Sequence, residues 1–146
     1  DEGLARLVER AIADEPGGAS LRADALDSAR AILRDFRASA LPERLARIWP
    51  KVVARELPVL APRAGDHPRA PVHGLKGLVD LVWRDDDGQF VVVDWKTGRA
   101  GELDELVRLH GEQLAAYARA LQSALDLPSM PRRELWFVAR GEVRAC

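Results

Sequence analysis

The chain changes its rhythm of apolar and polar positions partway along its length. Leu4, Leu7, Val8, Ala11 and Ile12 recur at helical spacing over residues 1–15, and Pro16-Gly17-Gly18 ends that segment. A second helix is predicted from about Ser20, read as its N-cap, with Leu26, Ala29, Ile32, Leu33 and Phe36 on one face. Leu41-Pro42 interrupts it, and a short third helix over 43–49 starts from Pro42. The apolar stripes of these helices are read as core.

From Val52 to Leu60 the mixture of β-branched and polar residues predicts a strand. Residues 61–73 hold Pro62, Gly65, Pro68 and Pro71 without any period, which predicts a loop. Leu75–Arg84 and Phe90–Trp95 read as strands joined through Asp85-Asp86-Asp87-Gly88, whose Asp-Gly step is a hairpin signal. After the break at Gly98–Gly101 a helix begins between Glu102 and Glu112 and runs to about Leu125. Leu114, Tyr117, Ala118, Leu121 and Leu125 share its apolar face. Pro128 and Pro131 close it, and Leu135–Ala139 forms a last strand that turns at Gly141 into Val143. Helices, three strands, a helix and a strand, in that order, predict an α/β sandwich around a small mixed sheet.

Composition narrows the picture. At 146 residues the chain fits one domain, with a helical segment over 1–50 and an α/β core over 51–146. It starts at Asp1, and its one methionine is Met130, so it reads as a segment of a longer polypeptide. No apolar run approaches the ~20 residues of a membrane span, which predicts no membrane partner. The single cysteine, Cys146, excludes an internal disulfide framework and any four-cysteine metal site, and fits a cytoplasmic location. The formal charge of −1 supplies none of the basic excess that displaces counterions from phosphates. A chain of this charge that works on DNA needs another element to hold the DNA for it.

The chemistry concentrates in GLVDLVWRDDDGQFVVVDWKTG, residues 77–98. Asp94 and Lys96 are two apart on one strand and therefore share a face, while Trp95 points to the other. Asp80 and Asp94 are equidistant from Asp87, so a tight turn there makes them a cross-strand pair. Two facing carboxylates repel, and a divalent cation relieves the repulsion; hard oxygen ligands suit Mg²⁺ or Mn²⁺. Lys96 beside such a site can orient or deprotonate a water, a role closed to arginine, and this chain keeps lysine only at Lys51, Lys76 and Lys96. A strand-edge ion pair with Asp80 capping a turn is the competing reading. Gln113 and Tyr117, one helical turn apart, share a face and can hydrogen-bond phosphates, bases or the catalytic groups.

The strings GLVDLV, VVVDWKTG and EQLAAYARAL, in this order, resemble the RecB-like exonucleases of the PD-(D/E)XK superfamily, including the nuclease domains at the C-termini of AddA-type and related helicases. The resemblance covers about Phe36 to Phe137. It implies a restriction-endonuclease-like core in which Asp80, Asp94 and Lys96 are catalytic. Asp80, Asp94 and the backbone carbonyl of Trp95 would bind Mg²⁺ or Mn²⁺, and Gln113 and Tyr117 would support the site and contact DNA. It further implies an exonuclease acting in DNA repair or recombination on single strands delivered by a helicase domain of the same chain or a partner subunit. Glu56 matches a family position and receives no role. The family's further metal-ligating histidine, on its first helix, has no counterpart here. His67, His73 and His110 are not placed to replace it and read as surface residues. A truncation just past that histidine is the preferred explanation, since DEGLARLVERA reads as a helix already under way, and the isolated segment would then be inactive.

Two other readings stay open. One is a non-catalytic module of the same fold that binds DNA or a protein partner. The other is an unrelated α/β enzyme that uses Lys96 as a nucleophile.

Overall fold

Asp85 makes the turn that sets the register of the central hairpin. Its Oδ1 accepts the backbone N–H groups of Asp87 (3.0 Å) and Gln89 (2.8 Å), and Gly88 takes the positive φ of 78° that a tight turn requires. The strands on either side are β2 (Gly74–Arg84) and β3 (Phe90–Lys96), antiparallel, with Arg84 opposite Phe90 and Leu81 opposite Val93.

The computed structural model describes residues 2–12, 18–62 and 74–146. In it β1 (Val52–Pro62) pairs antiparallel with β2. Helix α4 (Leu103–Ala124) carries the chain over the sheet to β4 (Arg132–Phe137), which runs parallel to β3, and β5 (Glu142–Ala145) folds back on β4. The order β1-β2-β3-β4-β5 makes a five-stranded mixed sheet. A parallel pair needs a long crossover, and α4 provides it. Gly141 (φ 69°) makes the last turn.

Alternation along the strands builds two cores. Val82, Val92, Leu135 and Phe137 face α4 and pack under its Leu114, Tyr117, Ala118 and Leu121. Leu81, Trp83, Val91, Val93 and Trp136 face the other way, toward Leu41, Ile48 and the partly buried Phe36. That second layer comes from α2 (Gly18–Ala38) and α3 (Leu41–Ile48), followed by a 3-10 turn at Trp49–Lys51. Inside it Glu134, only 5 % exposed, is held by Arg44 (2.7 Å) and by the indole N–H of Trp136 (2.9 Å).

Four expectations are corrected. Helix α2 starts at Gly18, so Ser20 lies within it rather than at its cap. Helix α1 (Glu2–Ile12) lies against α2 and leaves Leu7 exposed, so that residue of its stripe is not core. Leu125 stands past the end of α4 and is exposed, because the helix stops one residue before it. The loop predicted over 61–73 begins later, since Ala61 and Pro62 continue β1, and 63–73 lie outside the described residues.

Candidate active site

The β2–β3 register, carried one step beyond Leu81 opposite Val93, places Asp80 across from Asp94. Asp80 Oδ2 accepts the backbone N–H of Trp95 at 2.6 Å, which fastens its carboxylate to the strand that carries the other two residues. Lys96 Nζ lies 2.7 Å from Asp94 Oδ2. That amine stands outside hydrogen-bonding direction, so Asp94 Oδ2, sealed from solvent, has an ion-pair neighbour and no aligned donor. Asp94 and Lys96 share the parity of Val92 and therefore the α4 side of β3, while Trp95 packs with the opposite core and meets Trp136 edge to face at 5.0 Å.

Asp80 occupies a break in the alternation. Val79 and Val82, three apart, both belong to the core under α4, as do Ala54 and Leu57 on β1. Between them Arg55 pairs with Leu81 and Leu57 with Val79, leaving Glu56 and Asp80 facing each other at the step where both strands change phase. Glu56 takes a left-handed φ of 48°, a conformation rare for a side chain of its size. Burial pushes the Asp80 carboxyl above the usual range. The Trp95 N–H opposes that shift, the charge of Asp94 adds to it, Lys96 counteracts it, and Glu56 adds a last contribution.

On the helical side, Gln113 donates to the Tyr117 hydroxyl at 2.6 Å, as their spacing predicts. Tyr117 is 2 % exposed, so its ring is part of the core and the surface of this pair open to a ligand belongs to Gln113. His110 is half-buried. Burial lowers its pKa, the Lys96 charge lowers it further, and Asp94 works the other way. His67 and His73 lie outside the described residues.

Sequence reasoning missed three residues here. His110 sits three before Gln113 and seven before Tyr117, the spacing of one helix face, and that spacing was its available signal. Glu56 carried no local signal of its backbone strain. Trp49 is half exposed and lines a cavity of about 720 Å³ with Arg55, Glu56, Asp80 and Trp95. Trp83 and Trp136 are buried. Of the Arg-rich stretch 132–140, Arg132 bridges to Asp85, and Arg140 donates to the carbonyls of Arg99 (2.6 Å) and Gly101 (2.5 Å), holding the segment that follows β3.

Whether these residues fit a divalent cation turns on the oxygens. Asp94 Oδ2 is an acceptor without an aligned donor, and Asp80 feels the Asp94 charge, so a hard cation would satisfy both. Among the described residues no three His, Cys, Asp or Glu side chains converge as a complete ligand cage. Mg²⁺ needs none, since it keeps several waters and takes one or two carboxylates. The donor set fits.

The profile described as the PD-(D/E)XK nuclease superfamily matches residues 1–144. An ATP-dependent helicase/nuclease subunit of Lachnoclostridium phytofermentans is 37 % identical over 67 residues, which is 44 % of this chain and 5 % of that protein. The chain thus matches a small part of its relative's length.

Proposed function

Because this chain belongs to the PD-(D/E)XK nuclease superfamily, we propose that it is a metal-dependent deoxyribonuclease module that hydrolyses phosphodiester bonds. The observation that carries this reading is the pairing of Asp80 and Asp94 on adjacent strands, with the buried, donor-less Asp94 oxygen beside Lys96. In it Asp80, Asp94 and the backbone carbonyl of Trp95 hold Mg²⁺ or Mn²⁺. Such an ion acidifies a bound water and offsets charge on a phosphoryl oxygen.

The protein's own groups do the rest. The Trp95 N–H keeps the Asp80 carboxylate aimed at the end of β3. Lys96, on the same face as Asp94, orients the attacking water and exchanges a proton with it or steadies the phosphate as charge builds. Gln113 and Tyr117 brace α4 against β2 beside the site, and Gln113 keeps exposed surface for DNA. The helicase/nuclease name of the relative and the net charge of −1 together support a module fed by a helicase. The proposal extends to exonucleolytic action on single strands in repair or recombination, in the cytoplasm. Among the described residues no helix is long and apolar enough to cross a membrane.

The test is cleavage of linear DNA by the protein with Mn²⁺. Cleavage abolished by Asp94→Ala supports the proposal. DNA binding without cleavage, unchanged in Asp94→Ala, supports instead the non-catalytic module, which the closed Asp94–Lys96 ion pair would also accommodate.

A further inference from the structure

The cavity beside Asp80 is lined by two chemically different pairs of residues. Asp80 and Glu56 are acidic; Trp49 and Arg55 are aromatic and basic. Trp49 is the first residue of the 3-10 turn between α3 and β1, and the residue is 49 % exposed, although tryptophan is ordinarily mostly buried. The Arg55 guanidinium sits 5.4 Å over the ring centroid, on one of its faces. Arg44, Arg132 and Arg140, by contrast, are tied into the fold by ion pairs or hydrogen bonds.

We propose that Trp49 and Arg55 form a subsite for one unpaired nucleotide of single-stranded DNA, the base stacking on the Trp49 ring and the phosphate meeting Arg55. The inference rests on the nuclease reading for its choice of ligand. An indole face accepts any base without sequence preference, and a guanidinium beside it neutralises the connecting phosphate. The volume of about 720 Å³ admits a nucleotide. The next phosphate along the strand would approach Asp80 and Glu56, where like charges repel unless a cation intervenes. The subsite therefore grips the strand without metal, and the acidic pair engages it only with metal. A base flattened on Trp49 has to be unpaired, so duplex DNA gains nothing from the ring.

The test is titration of a fluorescent single-stranded oligothymidylate with the protein in EDTA, for wild type, Trp49→Ala and Trp49→Phe, alongside a duplex of equal length. Stacking predicts that Trp49→Ala weakens single-strand binding about tenfold or more, that Trp49→Phe stays within about threefold of wild type, and that duplex affinity is unchanged. It also predicts quenching of tryptophan fluorescence on single-strand binding that disappears in Trp49→Phe. Equal single-strand affinity in Trp49→Ala overturns the proposal, as does a wild type that ignores the oligothymidylate but binds RNA or peptide. Since EDTA removes hydrolysis, the nuclease reading is judged separately by cleavage with Mn²⁺. Cutting that is indifferent to Trp49 sinks the subsite alone, and Trp49-dependent binding without cutting sinks the hydrolytic reading alone.

Discussion

The hydroxyl of Tyr117 occupies the space that a side chain on Gly77 would fill: a Cβ built there overlaps the hydroxyl and stands 2.5 Å from Cζ. Gly77 precedes Asp80 by three residues on β2, so the glycine of the Gly-x-x-Asp string and the tyrosine of the Gln-x-x-x-Tyr string are one packing contact. The contact lets α4 lie close on the strand that bears Asp80. Gly77→Ala should therefore cost about 1–3 kcal/mol by overpacking. Tyr117→Phe removes the overlapping oxygen and should recover part of that loss when combined with it. Urea denaturation of the two single variants and the double variant measures the coupling; strictly additive effects would contradict the contact.

Asp80 gives a pH prediction. Its folded-state pKa is raised above the unfolded value, first by burial. Below the unfolded value the group is neutral in both states and costs nothing. As pH rises through the raised folded value, the buried carboxylate charges and stability is lost relative to an uncharged side chain. Asp80→Asn, whose amide oxygen can still accept the Trp95 N–H, should raise the melting temperature at pH 7 in the absence of metal. The gain should vanish as pH falls below the ordinary carboxylate range. Thermal scans across pH check it, and a variant less stable at pH 7 would contradict it.

Glu134 is held by one cation and one indole. Arg44→Leu leaves the carboxylate with the Trp136 N–H as its side-chain partner and should destabilise the fold by about 1.5–3 kcal/mol. Joint replacement, Arg44→Leu with Glu134→Gln, should recover part of this. Chemical denaturation of the three variants reads it directly.

The sheet and the site were legible to different depths. The hairpin register could be read by taking Asp87 as the centre of the turn, which puts Asp80 across from Asp94; the observed pairing of Arg84 with Phe90 has that centre. Asp94 and Lys96 could be placed on one face because alternation holds through β3. Alternation fails at Asp80 and Glu56, where both strands change phase, and no local residue preference announces a left-handed φ at a glutamate. Helix ends differ from their predicted places by one or two residues: α2 begins at Gly18 and α4 ends at Ala124. The exposure of Trp49 and the burial of His110 depend on what neighbouring elements cover, which spacing within one element does not encode.

Lys96 separates catalysis from binding. Lys96→Ala should reduce DNA cleavage by about 10²–10⁴-fold while leaving single-strand affinity in EDTA within a fewfold of wild type. Lys96→Arg should not restore cleavage, because arginine keeps its proton. Recovery by arginine would reduce the role of Lys96 to its charge.

Direct measurement of Mn²⁺ binding, by loss of the free-ion electron paramagnetic resonance signal on titration with the protein, reaches the central point without relying on activity. Saturable binding is expected, abolished in the Asp80→Asn, Asp94→Asn double variant while the fold is retained. Binding of undiminished affinity in that variant would contradict the claim that these two carboxylates share a cation.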